Sequence, residues 1–320
     1  MIQKEPSLTV IEKRVLKAAY VNGVQHLKNR FYERVGLKKK TVDYVMKKLE
    51  EEGLYSGMVY KLNLSVFNSG KAAWIFITVN RITFDEGFFL KKIFEFPQVQ
   101  MVAHITGNYD FAVRVMGHTI ENLNEFAINF EQIFGDSLED FHISFINKEY
   151  KRHYLAVSEK FKEKVELNAV DKFIIEKKMK NSLIGINELA KTGDFHRNTI
   201  SKRWKMLWRK GVLIKKIPLL TPRGYKEIDL GLKAVIIIKS APGKENKLVK
   251  VLLHEKEIQD IFTTLSNEII IVMRTEDSDS LATLHAVLPR RADKLIKKTN
   301  TFIILKSLRR PGFLFGSHEF

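Results

Sequence analysis

The stretch KKKTVDYVMKKLEEEGLY, residues 38–55, decides how the N-terminal segment folds. A helix with one buried face is predicted by four apolar residues at helical spacing: Val42, Val45, Met46 and Leu49. Upstream, the periodicity predicts one helix beginning near Leu8 and a second over about 25–35. The short connection at 36–40 separates the second and third helices, and this arrangement is typical of a helix-turn-helix.

This pattern occurs twice in the chain. The segment LTVIEKRVL, from Leu8, resembles LNAVDKFII, from Leu167, at an offset of 159 residues. The segment KKLEEEGLY, ending at Tyr55, resembles KMLWRKGVL, ending at Leu213, at an offset of 158 residues. A period this long exceeds the 20–50 residues of solenoid repeats. It therefore indicates a tandem duplication of a larger unit.

Each helix-turn-helix is followed by a segment that alternates strands and helices. In the first copy, apolar runs predict strands at 73–79, 99–106, 111–116 and 140–146, with helices at 84–96 and 123–133. The order βαββαβ is that of a ferredoxin-like domain, and it recurs over 234–306. We therefore predict an α+β protein of two tandem units. Each unit has a winged-helix-like helix-turn-helix and a ferredoxin-like βαββαβ domain.

The two patterns and the polar stretches between them predict the domain boundaries. The predicted divisions are a helix-turn-helix at 1–55, a linker at 56–70, a βαββαβ domain at 71–150, a linker at 151–166, a second helix-turn-helix at 167–214, a linker at 215–232, a second βαββαβ domain at 233–308 and a tail at 309–320.

Charge follows the same division. Lys and Arg number 54 against 37 Asp and Glu, giving a net charge of +17 over 320 residues. The basic excess concentrates in 1–70 and 162–226, whereas 71–150 is acidic. Two basic modules predict a polyanionic partner, most simply duplex DNA. The chain has no cysteine and no apolar run long enough for a membrane helix, so we expect a cytoplasmic, nucleoid-associated protein.

The exposed face of each third helix is basic and polar, as a DNA-reading helix requires. In the first copy this face comprises Lys38, Lys39, Lys40, Thr41, Tyr44, Lys47 and Lys48. In the second copy it comprises His196, Arg197, Asn198, Thr199, Ser201, Lys202, Arg203, Lys205 and Arg209. Arg197 and Asn198 are the predicted base readers, because these side chains make bidentate contacts to guanine and adenine. The triple lysine suits phosphates. Exposed helices are often basic, so the prediction depends on the pattern occurring twice.

A second stretch, VQMVAHITGNYDFAVRV at 99–115, combines with 38–55 to suggest a family. The chain resembles the Lrp/AsnC family of leucine-responsive, or feast/famine, transcriptional regulators. The resemblance covers 7–150 well and 167–308 more weakly. It implies DNA binding, self-association through βαββαβ domains, and an amino-acid-like effector bound at the interfaces of those domains.

The resemblance places Gly107, Asn108, Tyr109 and Asp110 in the effector-response region. The second copy reads LSNEII at 265–270, with Ser266 in place of the glycine and no aspartate after it. We therefore expect an effector on the first copy rather than the second. The alternative is that GNYD is only a hairpin connection.

The sequence predicts no catalytic residue, no metal site and no cofactor. The histidines form no HExxH motif, and there is no GxGxxG, P-loop or GxSxG. His104, on a strand, and His142, on a sheet edge, are predicted to be structural. One rival from another class is a siroheme decarboxylase, an enzyme family that resembles the Lrp/AsnC architecture. Another is an architectural nucleoid protein, for which binding would depend steeply on salt and little on sequence.

Covalent fusion raises the effective concentration of one unit for the other. The two βαββαβ domains are therefore expected to pair, either within one chain or between chains in a homo-oligomer. The tail carries Phe313, Leu314, Phe315 and Phe320, and it is predicted to be either a disordered end or an aromatic hook onto a neighbouring subunit.

Overall fold

A computed structural model of the chain describes residues 8–24, 30–63, 71–117, 119–156, 165–292 and 294–309. The helices of the first unit are α1 (Val10–Asn22), α2 (Arg30–Val35), α3 (Lys39–Glu51), α4 (Glu86–Ile93) and α5 (Ile120–Phe134). Its strands are β1 (Tyr55–Leu62), β2 (Lys71–Val79), β3 (Val99–Ile105), β4 (Phe111–Gly117), β5 (Leu138–Arg152) and β6 (Leu155–Ala156).

The second unit repeats this order with one additional helix. Its helices are α6 (Ala169–Lys180), α7 (Ile186–Thr192), α8 (Arg197–Arg209), α9 (Pro222–Glu227), α10 (Glu245–Leu253) and α11 (Ser278–Ala292). Its strands are β7 (Leu213–Leu220), β8 (Leu232–Ser240), β9 (Ile258–Thr264), β10 (Glu268–Thr275) and β11 (Ile296–Arg309). The predicted α+β architecture of two tandem units is confirmed. None of the described helices is long and apolar enough to cross a membrane.

Eight strands of the two βαββαβ domains close into one barrel. Their order is β2-β4-β3-β11-β8-β10-β9-β5, and β5 returns to pair with β2. Within the barrel the units meet at two antiparallel seams, β3 with β11 and β5 with β9. The domains therefore pair within the chain, one of the two arrangements that the sequence allowed.

Both faces are largely buried in six of the barrel strands, β2, β3, β4, β8, β9 and β10, which explains their continuous apolar runs. On β2, Trp74 and Phe76 point into the barrel with Phe262 and Phe302. The intervening Ile75 packs on the other side against α4 and α5. The barrel interior is therefore a packed core. The helices α10 and α11 cover the corresponding outer face of the second unit.

We call residues 8–54 the first head and residues 165–212 the second head. Each head begins with a capping box at the start of its first helix. Thr9 and Glu12 cap α1, and Asn168 and Asp171 cap α6. The N-terminal part of the predicted second helix, 25–29, lies outside the described residues.

The segments predicted as linkers at 56–70 and 215–232 contain regular structure. Strand β1 pairs antiparallel with β7 of the other unit, with Val59 opposite Ile217. The pairing also exchanges core residues, because Ile217 and Leu220 pack in the first head while Tyr60 and Leu62 pack in the second. These strands bury apolar side chains that neither head covers alone.

The segment predicted as a linker at 151–166 also begins with regular structure. Strand β5 continues to Arg152 because its second half pairs with β9, and a two-residue turn leads into β6. His142 itself pairs with Phe76 of β2, and the pairing of β5 with β9 begins beyond it, at Ile146. The tail beyond Arg309 lies outside the described residues.

Candidate nucleic-acid interface

The helix predicted to read DNA in the first unit, α3, follows a turn in which Gly36 adopts φ +67°, a conformation that favours glycine. Six of the predicted contact residues are exposed: Lys38, Lys39, Lys40, Thr41, Tyr44 and Lys47. The side chain of Tyr44 is 69% exposed although it is large and aromatic. The predicted face therefore points to solvent.

The remaining member, Lys48, is engaged within the head. Its Nζ lies 2.6 Å from Oε1 of Glu12 on α1 and 3.6 Å from Oε1 of Glu52. The hydrogen bond from Lys48 lowers the pKa of Glu12 to about 2. Lys48 thus fixes α3 against α1, and a DNA contact would compete with this ion pair. Lys47 also faces an acid, with Glu51 at 3.6 Å.

The helix predicted to read DNA in the second unit, α8, differs from α3 in charge. It carries five basic and no acidic side chains over residues 197–209, whereas α3 carries four basic and three acidic ones over 39–51. Seven of the predicted contact residues are exposed: His196, Arg197, Asn198, Thr199, Lys202, Lys205 and Arg209. Ser201 and Arg203 are half-buried. The helix α8 is therefore more positively charged than α3.

Arg203 holds α8 in place. Its Nε donates to Oδ1 of Asp171 at 2.7 Å, and its Nη2 donates to Oδ2 of the same carboxylate. The Asp171 side chain is completely buried, so this bidentate pair is well shielded from water. Arg203 therefore anchors α8 to α6, in the way that Lys48 anchors α3 to α1.

The start of α8 is ordered by its own side chains. His196 caps the helix, because its Nδ1 accepts a hydrogen bond from the backbone N–H of Asn198 at 3.2 Å. Arg197 donates from Nε to Oδ1 of Asn187 on α7 at 2.6 Å. This bond leaves the terminal guanidinium nitrogens of Arg197 available for a partner. The Asn198 side chain is exposed beside it.

The predicted effector turn lies at a seam between the units. Gly107 adopts φ +112° beside Phe302 of the second unit, and Thr106 N–H donates to the carbonyl of Ile303. Asp110 accepts a hydrogen bond from Val79 N–H at 3.0 Å, so it caps the turn. The effector role of this turn stays a prediction.

The two residues between Gly107 and Asp110 also make packing and hydrogen-bond contacts. The Tyr109 ring packs 5.6 Å from Phe76 and 5.5 Å from Phe302. The carbonyl of Asn108 accepts from the Thr78 hydroxyl at 3.1 Å. An effector at this turn would therefore meet residues that already pack against the barrel core and hydrogen-bond to β2.

The corresponding turn of the second unit adjoins a polar cluster. His142 Nε2 lies 3.5 Å from Oε2 of Glu268 and 3.0 Å from the Ser144 hydroxyl. Hydrogen bonding between His142 and Glu268 raises the pKa of the imidazole and lowers that of the carboxyl group. Both partners address the same ring nitrogen, so the cluster does not have the relay order of a Ser-His-acid triad. Within the described ranges, no group of three or more His, Asp or Glu side chains lies close enough together to hold a metal ion.

Comparison with known proteins agrees with this architecture. Residues 73–156, the first βαββαβ domain with β6, match the model described as the Lrp/AsnC ligand binding domain. This segment is an Lrp/AsnC ligand-binding domain. In the chain, the Lrp/AsnC domain supplies half of the barrel and the turn at Gly107.

Two curated relatives of the chain are transcriptional regulators. The HTH-type transcriptional regulator FL11 of Pyrococcus abyssi is 26% identical over 145 residues, which cover 45% of this chain and 93% of the relative. FL11 of Pyrococcus furiosus is 26% identical over 141 residues, which cover 44% and 90%. Each relative therefore has about the length of one of the two units.

A solved structure matches nearly the whole chain. The crystal structure of the siroheme decarboxylase NirDL superposes with a TM-score of 0.60 at 11% identity, covering 93% of this chain and 91% of that one. Its co-complex with an iron-uroporphyrin III analogue gives a TM-score of 0.59 at 12% identity. At these identities the likeness establishes the fold of two paired Lrp/AsnC-like units.

Proposed function

We propose that this chain is a transcriptional regulator that binds duplex DNA through two unlike heads, with α8 as the principal reading helix. The observation that carries the proposal is the exposed face of α8, which has four basic residues, Arg197, Lys202, Lys205 and Arg209, and no acidic one. Arg203 and Asp171 anchor that face from behind. Arg197 and Asn198, at the N-terminal end of α8, read bases, and the lysines of both heads contact phosphates.

The β1–β7 pair and the turn at 107–110 have further roles in this function. The β1–β7 pair joins the two heads, so they approach DNA as one body. Their faces differ, and the two half-sites therefore differ as well. An amino-acid-like effector on the turn of residues 107–110 would act across the seam with β11. The regulator relatives support this function, each over the length of one unit.

The deciding experiment is a selection of random duplex DNA on the purified chain at two salt concentrations. Enrichment of a motif with two unlike parts supports a sequence-specific regulator. Retention of DNA without a motif, with a steep loss at higher salt, overturns it in favour of an architectural protein.

The rival enzyme class is tested in the same sample. A siroheme decarboxylase-type activity is favoured by the paired-unit fold and by the polar cluster of His142, Ser144 and Glu268 beside the barrel core. An absorption scan after incubation with an iron uroporphyrin separates the two functions. A stable shift of the porphyrin band together with no DNA retention would replace the regulator proposal with the enzyme.

A further inference from the structure

A cleft of about 480 Å³ lies on the flank of α8, opposite strands β1 and β7. It is bounded by the second head on one side and by the strand that the first unit contributes on the other. This volume is within the range of about 300–1,000 Å³ that small-molecule sites occupy. The cleft lies outside the Lrp/AsnC domain.

One wall of the cleft is aromatic. The Tyr60 ring meets Trp204 edge to face at 5.3 Å and Trp208 at 6.1 Å. The two indoles are perpendicular, with centroids 6.0 Å apart. The indole N–H of Trp208 is buried and donates to no atom of the described residues. Such a donor is costly when unsatisfied, so an acceptor bound beside it would be stabilising.

Three lysines also line the cleft, two of them beside the aromatic rings. Lys178, Lys205 and Lys216 line the cleft, and among the described residues no Asp or Glu does. The Nζ of Lys178 lies 5.1 Å from the Trp204 centroid, and the Nζ of Lys216 lies 5.4 Å from the Tyr60 centroid. Backbone carbonyls accept from both ammonium groups, but carbonyls do not neutralise their charge.

These ammonium groups are held at an electrostatic penalty. Burial lowers the pKa of Lys178, and the charge of Lys216 lowers it further, against a smaller opposing effect of Glu188. Burial also lowers the pKa of Lys216. A negative charge placed between the lysines would relieve this penalty, because opposite charge favours the protonated form.

We propose that this cleft binds a small organic anion with a flat apolar body and one carboxylate. The body lies against Tyr60, Trp204 and Trp208, and the carboxylate accepts hydrogen bonds from the lysine ammonium groups. Flat rings suit this wall because aromatic pairs prefer edge-to-face and offset contacts. A DNA strand does not suit it, since each nucleotide adds a phosphate and the cleft offers only three lysines.

The position of Lys205 gives ligand binding a consequence for DNA. Lys205 lines the cleft and is also exposed on the reading face of α8. A bound carboxylate would draw this ammonium away from a phosphate and weaken DNA binding. This consequence rests on the proposed DNA-binding function, whereas the binding site itself does not.

The binding site is tested by calorimetric titration of the full chain with naphthoate and with naphthamide, its neutral isostere. We expect naphthoate to bind once per chain and naphthamide to bind at least about tenfold more weakly, the loss of about 1.4 kcal/mol from one charged contact. Equal affinities, or no binding of naphthoate, would overturn the proposal.

A matched pair of variants locates the site. Lys205→Gln removes one lining ammonium, and Lys210→Gln removes an exposed one at the end of the same helix. We expect Lys205→Gln to weaken naphthoate binding about tenfold and Lys210→Gln to leave it unchanged, with equal melting temperatures. Equal losses in both variants would show that naphthoate binds only by general charge. DNA binding measured with and without naphthoate then separates the cleft site from the DNA-binding function. A chain that binds naphthoate but no DNA would support the cleft site and overturn the DNA-binding function.

Discussion

Gly107 lies in the turn between β3 and β4, directly against Phe302 of the second unit. A Cβ at this position would lie 3.0 Å from Phe302 Cδ1 and 3.4 Å from the carbonyl oxygen of Thr301, and φ is +112°. We therefore expect Gly107→Ala to lower the free energy of unfolding by about 1–3 kcal/mol.

Urea unfolding of Gly107→Ala and Gly135→Ala checks this expectation. Gly135 has φ −49°, and a Cβ there would meet nothing closer than 3.9 Å. The control should therefore stay within about 0.5 kcal/mol of wild type or gain slightly. Equal effects of the two substitutions would mean that the seam tolerates a methyl group.

Lys215 is a buried lysine at the junction of the first head with the barrel. Its Nζ donates to the carbonyls of Val21 and His153, and burial lowers its pKa to about 7, against the opposing charge of Asp260. Between about pH 7 and the ordinary lysine pKa of 10.5, the unfolded state binds more protons. Stability from this residue therefore rises with pH in that window and is lost as pH falls through 7.

The test is the free energy of unfolding at pH 7 and pH 9 for wild type and Lys215→Met. The wild type should gain about 2 kcal/mol more than the variant over this interval. Lys306→Met, at an exposed position on β11, should gain as much as wild type. A rise in Lys215→Met equal to that in wild type would mean that this lysine stays charged in the folded chain.

The elements α3 and α8 are expected to differ in what they recognise. Replacing Arg197 and Asn198 with Ala should remove base contacts worth about 1–3 kcal/mol each and flatten the sequence preference. Replacing Lys39 and Lys40 with Ala should weaken binding to all duplexes about equally and reduce the salt dependence. Titration of a selected and a scrambled duplex distinguishes these outcomes. If both double variants bind as wild type does, the assignment of the heads is wrong.

Local elements could be predicted from the sequence because their signals are local. The apolar spacing of Val42, Val45 and Leu49 predicted α3, and the structure has it at Lys39–Glu51. Strand β5, by contrast, was predicted to end at residue 146, but it continues to Arg152 because β9 of the other unit pairs with it. Pairings between distant segments leave no local pattern.

The candidate nucleic-acid interface could likewise be predicted only in part. Exposure of the basic faces followed from the helical period, since residues opposite a buried stripe face solvent. The ion pairs of Lys48 with Glu12 and of Arg203 with Asp171 did not, because each joins residues on separate helices. The cleft also required Tyr60, on a strand of the first unit, to meet Trp204 in the second head.

At the scale of the molecule, the closed barrel makes the two units depend on each other. A fragment of residues 1–156 would leave β3 without β11 and β5 without β9. It would also expose Trp74 and Phe76 from the barrel core. We expect this fragment to form a homodimer or aggregate, and co-expression with 157–320 to give a one-to-one complex. Light scattering after gel filtration measures this, and a stable monomeric fragment would contradict it.

The seam at Gly107 also affects how the sequences of the two units can diverge from each other. In a dimer of identical units, one codon specifies both copies of a turn, so a change that harms one copy harms both. Here Gly107 faces Phe302, while in the other turn Leu265 donates to Phe145 and Ser266 bonds to Thr264 and Glu268. Each turn is inherited separately. Fusion of the units thus frees one turn to specialise while its counterpart keeps the barrel closed.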